Sequence, residues 1–372
     1  MRRSLLILGL LLGFVLVSCE PKYVASVTDL QYQKMEPTSG YHGEIVKIYG
    51  RNFSQNFGEN RVFFGDVEGI VLEYNNWDIT VVVPKQEVGA YTVRVTTPTD
   101  EVVCDKFTYK IKTRVTTILG GDGSLSYPEG LALDKNGYLW IAQRGTLTAI
   151  FKMAPDKTVS KVANTELPWH GGFNADGDFY FAAKAKGGIY KVTPSGTVSK
   201  VNITGELSRS PMDVKFDASD NMWICYRDES KVVKVTDGQV VKSYDITHPT
   251  CIAFDAQGRA LVGTNYDPNS GSTGEIYVIN GDDVKLVAGT SKVGFVGGIA
   301  VASSGSVYFG DISKKAIRIL TPGEGGDYLK GSITTVVSNI YPSDICLSGE
   351  DDDFKIYVAC ATDHVVKTVE IL

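Results

Sequence analysis

Short apolar runs separated by tight polar turns follow one another along the C-terminal two thirds of the chain. The clearest unit spans residues 127–164, where the apolar run 131–133 is followed by the turn 134–137 and a second apolar run, 138–142. The turn contains Asn136-Gly137, and an Asn-Gly pair between two short apolar runs is a strong hairpin signal. The pattern therefore predicts a unit of four short antiparallel strands joined by tight turns.

The unit is repeated, and its first turn aligns the copies. The separations between successive copies are 42, 41, 38, 47 and 46 residues. The turn position is occupied, in chain order, by Asp134, Asp176, Asp217, Asp255, Ala302 and Ser348. Six four-stranded units of about 40 residues predict a six-bladed β-propeller.

Closure of the ring would explain one predicted strand that does not belong to any of the six repeated units. The sixth unit has only three strands before Leu372, and a strand-like run at 114–119 precedes the first unit without a partner. We expect residues 114–119 to form the outer strand of the last blade, which would close the ring and remove an exposed edge. A linear β-solenoid would leave this strand unexplained. The predicted propeller domain therefore spans residues 111–372.

The N-terminal residues carry the features of an export signal. Arg2 and Arg3 precede an apolar run of 13 residues, 5–17, which is too short to span a bilayer core of about 30 Å but suits a signal peptide. The run ends in Leu16-Val17-Ser18-Cys19, which resembles a bacterial lipobox. The resemblance implies a signal peptide at 1–18, lipidation of Cys19, an anchor and tether at 19–26, and a location in the cell envelope, at the outer membrane.

Charge and cysteine content exclude several classes of function. The formal net charge is −6, and without residues 1–18 the chain has 35 basic and 43 acidic residues, a charge of −8. This charge argues against a nucleic-acid or anionic-lipid surface, so membrane attachment would rest on the lipid alone. The five cysteines after Cys19 are scattered without short spacings, which predicts neither a zinc motif nor a disulfide framework.

Residues 27–110 contain short strands without the repeat. The string Pro37-Thr38-Ser39-Gly40, followed by residues 43–53, resembles the IPT/TIG family of Ig-like domains, and the later runs 62–65, 79–84, 91–95 and 107–109 extend the match. The resemblance implies a small Ig-like β-sandwich. The fold class expected for the chain is therefore all-β, with an Ig-like sandwich followed by the propeller. We interpret the first domain as a spacer.

The first propeller unit also has a family resemblance. Its run Pro128-Glu129-Gly130-Leu131-Ala132-Leu133-Asp134 resembles the NHL repeat, whose propellers include binding modules, protein scaffolds and a lyase, with calcium-dependent lactonases among related six-bladed folds. The fold alone does not select among these functions. The combination of lipobox, IPT/TIG and NHL-type propeller resembles surface lipoproteins of gut-type Bacteroidetes, which implies a polysaccharide-uptake context.

The loops before the first strand and after the second strand of every blade fall on one end of a propeller. Aromatic residues and a histidine occupy five of the six positions that precede the blades. Flat aromatic faces beside hydrogen-bonding side chains suit a sugar. The predicted ligand-binding residues are Tyr127, Arg144, Trp169, His170, Arg227, His248, Asn265, Tyr266, Phe295 and Tyr341.

These aromatic residues have a second interpretation. Tyr127, Phe295 and Tyr341 directly precede a strand, so they could equally wedge between neighbouring blades as core. Trp169 lies between Pro168 and Gly171, which favours an exposed position in a tight surface loop.

An enzymatic function is the main alternative to binding. Glu129, Asp213 and Asp344 lie within the two positions that follow the entry residue of their blades. These three carboxylates could hold Ca²⁺, or they could equally accept hydrogen bonds from backbone amides. The sequence contains no nucleophile elbow, metal-spaced histidine pair or phosphate loop. It therefore favours a binder of a glycan or protein over an enzyme. We expect this binder to act as a monomer and to need no cofactor, with Ca²⁺ as the alternative. A metal-dependent lyase or lactonase and a protein-docking scaffold of the envelope are the alternatives.

Overall fold

The computed structural model describes residues 29–86, 89–207, 210–265, 274–289, 291–349 and 354–372. The expected signal peptide, the lipidation site Cys19 and the tether lie outside these residues. Across the described ranges the secondary structure consists of β-strands and a single 3₁₀ turn, Glu324–Gly326. None of the helical structure in these ranges is long and apolar enough to cross a membrane.

The N-terminal domain consists of one continuous sheet. Its eight strands are hydrogen-bonded in the order β1-β3-β6-β5-β4-β7-β8-β2. They are β1 (Gln31–Glu36), β2 (Ser39–Gly40), β3 (Ile45–Arg51), β4 (Arg61–Phe64), β5 (Val67–Tyr74), β6 (Asp78–Val82), β7 (Gly89–Thr96) and β8 (Glu101–Tyr109). Because β1 also lies against β8, near the other end of this order, the sheet curls around its own core.

Alternation of apolar residues along these strands builds that core. Ile48 is opposite Ile79 in the β3–β6 ladder, and Phe64 is opposite Val93 in the β4–β7 ladder, with all four side chains fully buried. Residues at every second position face the same side of a sheet, so the inner face is apolar along its whole length. The all-β prediction for this domain is confirmed, with the strands arranged as a curled eight-stranded sheet.

The rest of the chain forms six four-stranded antiparallel sheets, the blades of the propeller. In the first five blades, consecutive strands run from the central channel outward. They are β10 (Pro128–Leu133), β11 (Leu139–Gln143), β12 (Ala149–Met153) and β13 (Val159–Asn164) in blade 1; β14 (Gly171–Phe173), β15 (Phe179–Ala182), β16 (Ile189–Val192) and β17 (Val198–Lys200) in blade 2; β18 (Pro211–Phe216), β19 (Met222–Tyr226), β20 (Lys231–Thr236) and β21 (Gln239–Asp245) in blade 3; β22 (Pro249–Phe254), β23 (Ala260–Thr264), β24 (Ile276–Asn280) and β25 (Asp283–Ala288) in blade 4; β26 (Val296–Val301), β27 (Val307–Asp311), β28 (Ala316–Gly323) and β29 (Asp327–Ser338) in blade 5.

Blade 6 combines both ends of the propeller sequence. It contains β30 (Asp344–Ser348), β31 (Lys355–Cys360), β32 (Val365–Ile371) and, as its outer strand, β9 (Thr113–Gly120). β9 is antiparallel to β32, with Gly120 opposite Val365 and Thr113 opposite Ile371. Each innermost strand contacts the innermost strands of both neighbouring blades, including β10 against β30. The predicted six-bladed propeller is confirmed.

The turns between the first and second strands share one design in blades 1 to 4. Asp217 Oδ1 accepts a hydrogen bond from the Asn221 amide at 3.0 Å, and its Oδ2 accepts one from Trp223 Nε1 at 3.0 Å. Asp134 does the same with Tyr138 and Trp140. In blade 2 the equivalent residue is not Asp176, as the alignment predicted.

The side chain that caps the blade 2 turn belongs to Asn174. Its Oδ1 accepts from the Asp178 amide at 2.9 Å, and its backbone amide donates to the Asp178 carbonyl. The Asp176 side chain is exposed. The prediction was wrong by two residues because an asparagine oxygen caps such a turn as an aspartate does, and the alignment followed the acidic residue.

Candidate functional site

Backbone hydrogen bonds hold the loops at one end of the propeller against each other. The carbonyl of Tyr127 accepts from the amide of Arg144 at 3.0 Å, and that of His248 accepts from the amide of Asn265 at 3.1 Å. Tyr127, Ser210 and His248 have φ of 49°, 57° and 47°. This left-handed conformation is unfavourable for residues with a Cβ and is retained where the surrounding structure enforces it, often at functional sites.

A cavity of about 270 Å³ opens at this end, which we call the loop end. Residues before or at the start of the first strands of all six blades line it, together with residues that follow second strands. The lining consists of Tyr127, Glu129, Arg144, Trp169, His170, Met212, Thr250, Phe295, Gly297, Ile312, Tyr341, Pro342, Ser343, Ala361 and Thr362.

Four aromatic side chains line the cavity, and three of them are not part of the core between the blades. Tyr127 and Tyr341 are 39% and 37% exposed, Phe295 is half-buried, and none of the three belongs to a buried apolar cluster of the propeller. Of the two interpretations of these residues, the geometry matches the cavity-facing one. Their rings are available for contact with a ligand.

Trp169 differs from the prediction that it is exposed. Its side chain is half-buried and packs against the apolar clusters of blades 2, 3 and 4. Cations also cover its ring, with Arg144 Cζ 4.5 Å and Lys184 Nζ 5.2 Å from the ring centroid. The flanking Pro and Gly do produce a tight loop, but this loop folds inward toward the channel.

Arg144 and Lys184 form a cationic group beside the aromatic residues. Arg144 Nη2 lies 3.2 Å from Glu129 Oε2, and its guanidinium also lies 5.7 Å from the Tyr127 ring centroid. Burial lowers the pKa of Lys184, and the neighbouring Arg227 lowers it further. Cations over aromatic rings are stabilised by the ring quadrupole, more strongly where water is excluded.

His170 is the buried polar residue of the cavity. Its side chain is 2% exposed, and neither Nδ1 nor Nε2 has a hydrogen-bond partner in the protein. A buried polar atom without a partner costs about 1–3 kcal/mol relative to a satisfied one. A ligand with a hydrogen-bond donor or acceptor at this point of the cavity would give a ring nitrogen of His170 the partner that the protein does not provide.

Asp213 and Asp344 are buried and are engaged by backbone amides. Asp213 accepts from the amides of Val214 at 2.8 Å and Ile252 at 3.0 Å, which joins blade 3 to blade 4. Asp344 accepts from the amides of Ile345 and Leu131, both at 2.8 Å, which joins blade 6 to blade 1. These two carboxylates fasten neighbouring blades together.

Burial and neighbouring charges oppose each other around Asp344. Burial raises the pKa of Asp344, while His170 and Lys215 act to lower it without cancelling that rise. Burial acts to lower the pKa of Lys215, but Asp213, 3.2 Å from Lys215 Nζ, and Asp344 outweigh it and raise the pKa. The channel floor is therefore a compensated network of buried charges.

The three carboxylates considered as metal ligands do not form a metal centre. Glu129 is held by Arg144, and Asp213 and Asp344 direct their oxygens to backbone amides. In the part of the chain that the structure describes, no three His, Cys, Asp or Glu residues lie close enough together to hold a metal ion. The donor set of these residues does not fit Ca²⁺, which takes six to eight free oxygen ligands.

The structure brings six of the ten predicted ligand-binding residues to the cavity and places three others outside its lining. Arg227, His248 and Asn265 lie at the loop end but do not line the cavity, and Arg227 Nη2 donates to Asn265 Oδ1 at 3.3 Å. Tyr266 lies outside the described residues. The six that line the cavity are Tyr127, Arg144, Trp169, His170, Phe295 and Tyr341.

Several residues that line the cavity were not identified from the sequence, although the repeat pattern pointed to some of them. The alignment of the repeated units could have identified Met212, Thr250 and Ser343, because they occupy the same repeat position as Glu129. Thr250 Oγ1 lies 2.7 Å from the Val296 carbonyl and can donate to it, so this hydroxyl also ties two blades together. Ile312 and Thr362 follow second strands, where the units differ too much in sequence to align.

Comparisons with known proteins match the first domain by sequence and most of the chain by structure. The family model for the IPT/TIG domain matches residues 31–111. No curated protein matches the chain. Among solved structures, a Bacteroides thetaiotaomicron protein of unknown function is 16% identical with a TM-score of 0.55, and the match covers 92% of this chain and 98% of that one.

Two further solved structures have names that mention a function. An auxiliary nutrient binding protein from Bacteroides ovatus is 16% identical with a TM-score of 0.51, covering 92% of this chain and 97% of that one. A gluconolactonase from Xanthomonas campestris is 13% identical with a TM-score of 0.56, covering 70% and 90%. At these identities the likeness shows a shared fold and no more. The chain therefore combines an IPT/TIG domain with a six-bladed β-propeller.

Proposed function

We propose that the propeller binds a glycan in the cavity at its loop end, without catalysis. The observation that carries this proposal is the set of aromatic rings around the cavity, with Tyr127 and Tyr341 exposed and Phe295 half-buried beside them. Sugar rings have apolar faces that pack on aromatic rings and polar rims that require hydrogen-bonding groups. In the same lining, His170 has ring nitrogens without a partner, and Arg144 keeps Nη1 beyond its contact with Glu129.

The size of the cavity limits how much of a glycan it could hold. At about 270 Å³, it is near the lower limit of roughly 300–1,000 Å³ for pockets that hold small molecules. It would therefore accept a chain end or a short segment of a glycan, not a long stretch.

The neighbouring structures agree with a binding role but do not select the ligand. Proteins described as auxiliary nutrient binding proteins share the fold over 92% of this chain. The metal-dependent lyase or lactonase has relatives of the same fold, including the gluconolactonase. That alternative needs free carboxylates to bind the metal, but Glu129 is paired with Arg144, and Asp213 and Asp344 accept hydrogen bonds from backbone amides.

The remaining parts of the chain fit a surface-presented binder. We propose that the propeller is of the NHL type, that the first domain is an Ig-like spacer, and that a lipid on Cys19 anchors the protein to the outer membrane. We place the protein in a polysaccharide-uptake system, acting as a monomer. A protein-docking role in an envelope complex would use the same loop end.

Removal of one exposed aromatic ring tests the glycan proposal. We expect affinity gel electrophoresis across plant and host polysaccharides to show retardation of the purified protein by one of them. Tyr341→Ala should weaken that retardation about tenfold, because it removes a cavity-facing ring that is not part of the core. Its control is Trp77→Ala, which removes a 57% exposed ring from the first domain.

Two results would count against the proposal. Equal retardation of Tyr341→Ala and wild type would move the site away from the cavity. Failure of every polysaccharide to retard the wild type would overturn the glycan proposal and favour a protein partner.

The lipid anchor has its own test. We expect wild-type protein to fractionate with membranes and Cys19→Ser to be released in soluble form, because the charge of the chain gives anionic lipid no attraction for it. Membrane association that Cys19→Ser retains would contradict the anchor.

A further inference from the structure

Unpaired positive charge surrounds the proposed glycan site, in a chain whose net charge is −6. Lys184 Nζ lies 5.2 Å from the Trp169 ring centroid, and Lys315 Nζ lies 4.9 Å from that of Tyr341. Neither lysine has an ion-pair partner among the described residues. Trp169 and Tyr341 both line the cavity, so each of these two lysines, although not in the lining itself, lies beside an aromatic ring of the cavity.

Arg144 adds a third cation that is only partly neutralised. Its Nε and Nη2 both contact the same oxygen of Glu129, Oε2, at 3.3 and 3.2 Å. This one-oxygen contact leaves Nη1 free of Glu129. A guanidinium has five N–H donors in a fork that suits planar oxyanions, so Arg144 retains donors for a second anion.

Three carboxylates at the loop end are, by contrast, paired with cations of the protein. Asp228 is bound by Arg227 at 3.0 Å, and Asp311 by Arg318 at 3.0 Å. Asp363 lies 3.3 Å from Lys367. Glu206 and Glu229 face the Tyr226 hydroxyl and do not line the cavity. Among the residues that line the cavity, Glu129 is the only carboxylate, and it is paired with Arg144, whereas Lys184 and Lys315 beside the lining have no ion-pair partner among the described residues.

We infer that the glycan carries an anionic substituent, a carboxylate or a sulfate, which Lys184, Arg144 and Lys315 bind around the cavity. This inference rests on the proposed function and names the ligand class of the same site. An acidic sugar could place its ring on Tyr341 or Tyr127 while its anionic group reaches the cation over the neighbouring ring. Local positive potential in a concave site also concentrates anions there.

Two further features of the cavity agree with an anion. Burial and the proximity of Arg144 and Arg227 make the charged form of Lys184 unfavourable, which lowers its pKa, and a bound anion would relieve this repulsion. His170 offers ring nitrogens that are buried and unpartnered, and an imidazole N–H donates to carboxylate or sulfate oxygens as readily as to hydroxyls.

The test compares glycans that differ only in charge. Purified protein is titrated calorimetrically with a uronic-acid polysaccharide and with its carboxyl-reduced form, and separately with a sulfated galactan and its desulfated form. We expect the anionic member of one pair to bind at least about tenfold more tightly, with an affinity that falls as salt is raised. The pair that shows the difference identifies carboxylate or sulfate.

Lysine variants locate the effect. Lys184→Gln should weaken binding of the anionic glycan about fivefold and leave binding of the neutral form unchanged. Lys186→Gln is the matched control, because it removes the same charge from the same loop, and Lys186 is exposed and paired with Glu166 at 3.7 Å, whereas Lys184 lies over the Trp169 ring. We expect it to bind like the wild type.

Each contrary outcome has a separate meaning. Equal affinity for the charged and neutral forms would overturn the anion inference while leaving the glycan proposal intact. Equal weakening by Lys184→Gln and Lys186→Gln would also overturn it, because general charge and not the cavity would then be responsible. Binding of none of the four glycans would count against both the inference and the proposed function.

Discussion

The two ends of the propeller differ in their buried side-chain atoms without a hydrogen-bond partner, because several lie at the loop end whereas among the described residues the end with short turns has Thr321 Oγ1. At the end with short turns, which we call the turn end, Asp134, Asp217 and Asp255 each accept hydrogen bonds from backbone amides and from a neighbouring indole or guanidinium. Their oxygens are used within the blade. This end has one design that is repeated with small changes in four blades.

The loop end contains buried side-chain atoms that lack a hydrogen-bond partner in the protein. These atoms belong to residues that precede first strands or follow second strands, namely Thr165, His170, Arg227, Glu229 and His248. Buried polar atoms without partners are uncommon in native proteins, and they require a reason. We interpret the repeated end as a source of stability and the polar groups of the varied end as available to the proposed ligand.

The largest effect that we expect comes from removing a carboxylate of the turn end. Asp217→Ala should lower the free energy of unfolding by roughly 2–4 kcal/mol, because it orphans the Trp223 indole and two backbone amides and removes the partner of Lys234. Glycan binding should be unaffected. Denaturant unfolding measures the change.

Asp176→Ala is the matched control for this prediction. The Asp176 side chain is exposed in the corresponding turn of blade 2, where Asn174 makes the capping contacts. Its removal should change stability by less than about 0.5 kcal/mol. Equal destabilisation by the two variants would refute the idea that capping hydrogen bonds stabilise these turns.

A variant at the loop end should behave in the opposite way. His170→Leu replaces a fully buried ring whose two nitrogens lack partners, so we expect stability to be unchanged or higher by about 1 kcal/mol. Glycan affinity should fall about tenfold, because the ligand loses its polar contact at the cavity floor. A clear loss of stability without loss of affinity would mean that His170 belongs to the core and not to the site.

The smallest effect is a difference in pH dependence between carboxylates of the two ends. Burial acts to raise the pKa of Asp217, but hydrogen bonds from Trp223 and Lys234 outweigh it and lower the pKa to about 2. Asp217 therefore contributes stability above its unfolded pKa of about 3.9, and this is lost as pH falls toward 2. At Asp344, burial raises the pKa, so stability falls as pH rises above the same unfolded value.

Asp344→Asn should separate these two contributions. Its destabilisation relative to the wild type should shrink as pH rises from the acid range to neutrality. The destabilisation caused by Asp217→Ala should instead grow over the same range. Stability curves by denaturant unfolding at several pH values would show this, and parallel curves for the two variants would contradict the assigned shifts.

The repeat made the propeller predictable because it is a local pattern. The Asn136-Gly137 turn, the proline before the first strand and the alternation of apolar runs each report on a few neighbouring residues. The error at Asp176 has the same origin, since Asn and Asp cap the turn equally well. The curled sheet of the first domain depends on long-range pairing such as β2 with β8, which the strand pattern does not encode.

The site was only partly predictable because it depends on how six blades converge. Tyr127, Phe295 and Tyr341 could be found from the alignment, but whether they face the cavity or the core could not. The inward fold of the Trp169 loop results from packing against blades 3 and 4, which are distant in sequence. The unpaired state of Lys184 and Lys315 depends on where every other charge lies.

Hydrogen–deuterium exchange with and without the retarding glycan tests the central claim most directly. We predict slower exchange in the segments around Tyr127, Arg144, His170 and Ser343 at the loop end when the glycan is bound. The turn-end segments 134–138, 217–221 and 255–259 should not change. Protection confined to the turn end or to the IPT/TIG domain would contradict the assignment of the ligand site to the loop end.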